Sequence, residues 1–182
     1  MTINKRRGPA ESITIPLKSV VLFAIYVALG NLCLAQPFAS KWITGPVTTT
    51  SAQTAAAVCD SLGLPVEARD TVVSYRETRL NVQEGCNGLD LALIFMCAVL
   101  AYPVGWLSRL VGVVAGVLVI LAMNLLRLVN LLWVGAHFPS RFEFFHIWVW
   151  QPLTMLLTFA VLVLWWRYLA GSIRAGTLTE AR

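Results

Sequence analysis

The chain is predicted to be an all-α integral membrane protein: a four-transmembrane-helix bundle with a small external helix-plus-strand cap between helices 1 and 2. Three observations predict this. Of the 182 residues, 58% are hydrophobic and 13% charged, about half the ~25% charge usual in soluble domains, and mean hydropathy is +0.72. A soluble domain this short could not hide so much apolar surface. Four apolar runs approach the ~20 residues that a helix needs to cross a bilayer, and one sizeable polar segment, 37–85, interrupts them.

Residues 1–18 carry Lys5, Arg6, Arg7 and Lys18 against Glu11 and are expected to be a cytoplasmic tail. The first span is expected over 19–36. Cys33-Leu34-Ala35 loosely resembles a signal-peptide cleavage site, but the run is longer than the ~7–15 residues of a signal core and reads better as a retained anchor. Within the cap, 37–85, Thr48 to Ser51 offers N-cap oxygens, 52–62 reads as helix, and Gly63 with Pro65 stops it. Val73, Tyr75, Leu80 and Val82 then alternate with polar residues, as in short strands turning near 76–78.

The second span is expected over 88–107, with Asp90 near its start and Pro103 near its end. The third, 110–134, contains Arg127 and a small-xxx-small pair, Gly112 and Gly116, suited to close helix packing. An external loop, 135–146, leads to the fourth span, 147–169. Trp148 and Trp150 at one end of it, and Trp165, Trp166 and Tyr168 at the other, read as interfacial aromatic belts. Residues 170–182 form a second cytoplasmic tail.

With four spans both termini share a side. Calling it cytoplasmic puts eight Lys/Arg there (Lys5, Arg6, Arg7, Lys18, Arg109, Arg167, Arg174, Arg182) against five outside (Lys41, Arg69, Arg76, Arg79, Arg141), the bias that orients membrane proteins. Cys86 and His146 then fall at outer span ends. Arg127 stands 18 residues beyond Arg109, roughly 27 Å along a helix, so it is near the outer boundary of a ~30 Å core as well. Three reactive side chains, far apart in sequence, share one depth.

Cysteine is commonly a small apolar filler, and Cys33 and Cys97, inside apolar runs, read that way. Cys86 sits instead in Glu84-Gly85-Cys86-Asn87-Gly88, where a following helix start favours the thiolate and glycines allow a substrate backbone to approach. A charge such as Arg127 within a span is expensive. It either snorkels to headgroups, pairs with Asp90 as a structural bond, or stabilises an oxyanion or substrate carboxylate. His146 could take the thiol proton and return it to a leaving amine; His137 in the same loop is the alternative base. A Cys59–Cys86 bridge would instead make an external thiol-disulfide protein, although no CxxC is present. Two histidines are too few for a multi-histidine metal site. No metal or cofactor is expected. The +5 charge and pI near 9.3 reflect basic residues at the chain ends, so the lipid bilayer, not nucleic acid, is the expected partner.

Glu84-Gly85-Cys86-Asn87-Gly88-Leu89, then Asn124-Leu125-Leu126-Arg127-Leu128, then His146 ahead of a final apolar run, together resemble the exosortase/archaeosortase family, closest to the short exosortase H-like branch. The resemblance covers roughly residues 70–170. It implies a membrane-embedded cysteine protease/transpeptidase of the bacterial cytoplasmic membrane with its active site on the external face. Its substrates would be exported proteins whose C-terminal signal joins a short motif, a transmembrane helix and a basic cluster; the acceptor is unknown. Carried over by position, Cys86 is the thioester-forming nucleophile, Arg127 steadies the oxyanion and His146 is the general acid/base. Asn87 stands where many relatives have serine, and Ile147 and Trp148 replace small residues after the histidine. The rival reading is a non-catalytic membrane subunit held by an Asp90–Arg127 pair.

Overall fold

The computed structural model describes residues 16–83 and 85–180, with side chains through Tyr168; Lys5, Arg6, Arg7, Glu84 and Arg182 lie outside the described residues. The first apolar run forms α1 (Leu17–Leu34). It stops because Gln36 precedes Pro37 and takes the extended backbone, ψ 146°, that a following proline imposes. A short helical turn, Pro37–Ala39, and a wide π-helical turn, Ser40–Thr44, lead into α2 (Gly45–Ser61). Pro46 explains the wide turn. It has no N–H to donate and its ring crowds the carbonyl four residues back, so the coil opens and Gly45 bonds to Ser40 instead.

Helix α2 therefore begins well before the threonine run expected to cap it. It ends in a Schellman motif, with Leu64 N–H on the Cys59 carbonyl (3.0 Å) and Gly63 N–H on that of Asp60 (2.9 Å). Three strands follow: β1 (Val66–Arg69), β2 (Val72–Tyr75) and β3 (Thr78–Asn81). They form an antiparallel meander, pairing Ala68 with Val73 and Val73 with Leu80. Each hairpin turns through two residues, the first of which, Asp70 or Arg76, takes a positive φ (54° and 55°).

Helix α3 (Leu89–Ala101) has only 13 residues, about 20 Å of rise, against the 88–107 expected. Pro103 holds Tyr102 in the β region, and the chain stays non-helical to Gly105. Helix α4 (Trp106–His137) has 32 residues, about 48 Å, longer at both ends than the expected 110–134; nothing breaks it before Pro139. The expected loop 135–146 is thereby reduced to a 3-10 turn, Pro139–Arg141, and a helical re-entry. A π-helical stretch, Phe144–Trp150, then opens α5 (Gln151–Glu180) ahead of Pro152, as Ser40–Thr44 does ahead of Pro46. Helix continues through residues 170–180, where a tail is expected. The chain is thus a mostly helical membrane protein. Among its described residues, three helical stretches are long and apolar enough to cross a bilayer, Leu17–Leu34, Trp106–His137 and Phe144–Tyr168, with α3 a shorter apolar helix beside them.

Helix α4 is the pillar. Its outer end overshoots a ~30 Å core and carries the cap: Leu128 and Leu132 pack with Ala55, Cys59, Val73 and Tyr75 in one buried cluster. Lower down, Ala92, Phe95, Val99 and Ile120 form a second. The glycine pair of α4 does admit close packing, but of aromatic rings: Gly112 faces Trp165 and Gly116 faces Phe95. Trp165 and Trp150 thus turn inward from the expected belts, Trp150 donating to Asn130 Oδ1 at 2.8 Å, whereas Trp148 and Tyr168 stay exposed.

Candidate active site

The Cys86 loop is fastened at three points. Cys86 N–H donates to the Gln83 carbonyl (2.9 Å), and its own carbonyl accepts from Asn124 Nδ2 on α4 (3.1 Å). Asn87, 1% exposed, works at both ends: Nδ2 donates to Thr48 Oγ1 on α2 (3.0 Å), while Oδ1 accepts the Leu89 N–H (3.0 Å) in an Asx-turn that leads into α3. An asparagine, with donor and acceptor on one fork, ties cap to helix in a way that a serine hydroxyl could not match in span. Gly88 follows at φ 81°, where any Cβ would also come to 3.0 Å from that of Asn124. Only glycine lets the loop lie this close to α4.

This fastening brings the Cys86 Sγ to 3.7 Å from His146 Nε2. His146 is carried on the π-helical stretch before α5, and the Phe142 ring lies across its imidazole (centroids 5.8 Å, 30°). Arg127, 4% exposed, walls the same recess of about 140 Å³, together with Cys86, His146, Val82, Gln83 and Phe142. Among the described residues, its Nε has no hydrogen-bond partner, nor has Asn124 Oδ1. Buried orphans of this kind are rare and costly; here a guanidinium and an amide oxygen are left open beside a thiol. Arg127 also walls a second recess, about 210 Å³, on the far side of the Cys86 loop with Gly85, Gly88, Asp90 and Gln151.

The other sequence candidates are elsewhere. His137 ends α4, with Nδ1 2.9 Å from the Trp133 carbonyl and its ring stacked on Trp133 at 4.8 Å; it does not line the recess. Asp90 makes no ion pair with Arg127 among the described residues. It sits in the first turn of α3, where free N–H groups and the helix dipole stabilise a carboxylate without a cation. Cys59 and Cys86 are both free thiols. Cys59 faces the cap core at 1% exposure, and burial pushes its thiol up, so it is neither bridged to Cys86 nor poised as a thiolate. Cys33 and Cys97 are free as well. Among the described residues, no group of three or more His, Cys, Asp or Glu could hold a metal ion.

Two positioning residues escaped the sequence reading. Asn124 had a signal, a polar residue on the Arg127 face of an apolar run, but it was read only as part of a motif. Thr48 had none: one of three consecutive threonines, it looked like a cap and proves to be a buried mid-helix hydroxyl. Chemically, the site offers a thiol, an imidazole in contact with it, and a buried cation that walls the same recess. That set suits acyl transfer.

A family model described as transmembrane exosortase (Exosortase_EpsH) matches residues 15–166 of the chain, a range that includes Cys86, Asn124, Arg127 and His146. No curated protein and no solved structure matches it.

Proposed function

The chain belongs to the transmembrane exosortase family, and on that premise we propose that it is a membrane-embedded cysteine protease/transpeptidase that cleaves the C-terminal sorting signals of exported proteins. The observation that carries this reading is the Cys86 Sγ–His146 Nε2 contact at 3.7 Å in a recess walled by Arg127. His146 takes the thiol proton, and the thiolate attacks the scissile carbonyl carbon. The resulting oxyanion faces the Arg127 guanidinium. Collapse breaks the C–N bond, the leaving amine takes the proton from His146, and a Cys86 thioester remains. Water or an acceptor nucleophile, deprotonated by His146, then releases the acyl group and restores the thiol.

The same reading supplies the topology. Helix α3 rises about 20 Å, and residues 102–105 turn the chain from its end into α4. We read α3 with this turn as a fourth crossing. Both termini then lie in the cytoplasm of a bacterial cell, and the Cys86 loop opens at the external face. Substrates carry a short motif, a transmembrane helix and a basic cluster at their C-terminus, so the scissile bond arrives at the depth of Cys86. The test is co-expression with a protein carrying such a tail. Cys86→Ala abolishes processing while the variant accumulates in the membrane at the normal level. Normal processing by that variant would refute the proposal.

A further inference from the structure

The second recess beside Arg127 is the mouth of a longer feature. Leu91, Ile94 and Met155 line both it and an apolar cavity of about 250 Å³ beneath. Phe23, Ala98 and Leu162 are shared in turn with a third cavity of about 220 Å³, which ends at Tyr102 and Trp166. The three form one trough along α3, walled throughout by α5 and, in the two cavities below the mouth, by α1, both helices packing on α3. It starts at Gly88 and Asp90, next to the reacting thiol, and ends where the Tyr102 carbonyl meets Arg109 Nε (3.2 Å), at the far end of α3.

We infer that this trough is the docking site for the substrate's single transmembrane helix, an inference that rests on the function proposed above. Three features select that occupant. The trough is apolar apart from its mouth, so it takes a hydrophobic partner. It runs the whole length of α3, about 20 Å, which exceeds the ~15 Å half-core that one lipid chain reaches, so it fits a helix better than a single acyl chain. Its mouth shares Arg127 with the Cys86–His146 recess, so a chain seated in the trough passes over the thiol as it leaves the membrane. At mid-trough the floor is Ala98, a small, half-buried side chain that leaves room for one ridge of an incoming helix.

The experiment uses the full-length enzyme in proteoliposomes with a tail-bearing substrate. Ala98→Phe fills the middle of the trough. It should lower kcat/KM at least about tenfold, chiefly through KM, with membrane abundance and Cys86 alkylation by a small maleimide unchanged. Ala122→Phe, in the separate cavity between α2 and α4, should keep the normal rate. A photo-crosslinking amino acid at Ile94 in the Cys86→Ala background, with Ala98 intact, should capture the substrate's transmembrane helix. A normal rate in Ala98→Phe, or capture of phospholipid alone or of a second copy alone, would overturn the docking inference. Cys86→Ala tests the chemistry independently: if it abolishes processing and Ala98→Phe does not affect it, only the trough assignment fails.

Discussion

Replacing Asn124 by leucine separates stability from rate at the proposed site. Asn124 is 3% exposed and, among the described residues, makes one bond with its fork, Nδ2 to the Cys86 carbonyl at 3.1 Å, while Oδ1 has no partner. Leucine keeps the branch at Cγ and removes both groups. Leaving the Cys86 carbonyl unpartnered costs about 1–3 kcal/mol, and losing the buried orphan acceptor returns about 1–3 kcal/mol. Tight packing against Gly88 takes back up to about 1 kcal/mol. The net effect on folding is therefore near zero or slightly destabilising. The rate moves further. The Cys86 backbone loses its tie to α4, and a ~1 Å misplacement of a nucleophile can lower a rate by about 10²-fold. Asn124→Leu should therefore lower kcat by about 10- to 100-fold, with a smaller effect on KM. The assay pairs single-turnover cleavage in proteoliposomes with thermal unfolding in detergent. A normal kcat, or a rate loss that only tracks the loss of folded protein, would refute the argument that this bond positions the nucleophile.

Two further outcomes follow from neighbouring contacts. His146→Ala should lower processing by about 10²–10⁴-fold, the usual contribution of a positioned acid–base group, whereas His137→Ala, which removes a ring stacked on Trp133, should leave the rate within about threefold because rearranged surface contacts have small effects; rates from matched membranes check both. Thr48→Val leaves Asn87 Nδ2 buried and unpartnered, and should lower the unfolding free energy by about 1–3 kcal/mol, read as a lower melting temperature and faster proteolysis of the cap.

Spacing along a helix was legible in the sequence, contact was not. Helix α4 is unbroken from Arg109 to Arg127, so the expected rise between them holds. Equal depth alone did not bring Cys86 to His146. That needed Asn87 and Asn124, two ordinary-looking amides whose partners are 39 and 38 residues away. The strand alternation was readable at β2 and β3, since Val73 and Tyr75 share a buried face. Strand β1 was missed although Val66, Glu67, Ala68 and Arg69 alternate in the same way, because glutamate and alanine have low strand propensity and four residues make a short signal. The expected span over 88–107 was too long for a related reason. Hydropathy sums apolar side chains and ignores the backbone, so Tyr102 to Trp106 still reads as membrane although Pro103 ends the helix.

That early end is what ties the pieces together. Three hydrogen bonds hold the turn that follows α3: Tyr102 N–H reaches the Val99 carbonyl, Val104 N–H the Tyr102 carbonyl, and Arg109 Nε that same oxygen. Arg109, first noticed as a topological charge, is thus also the clamp that lets α3 stop short. Tyr102, held out of the helix by Pro103, meets Trp165 and Trp166 edge-on, and these rings form the foot of the trough. The same short helix starts at Leu89, directly after the loop that presents Cys86. One proline therefore shapes the foot of the channel whose mouth adjoins the nucleophile.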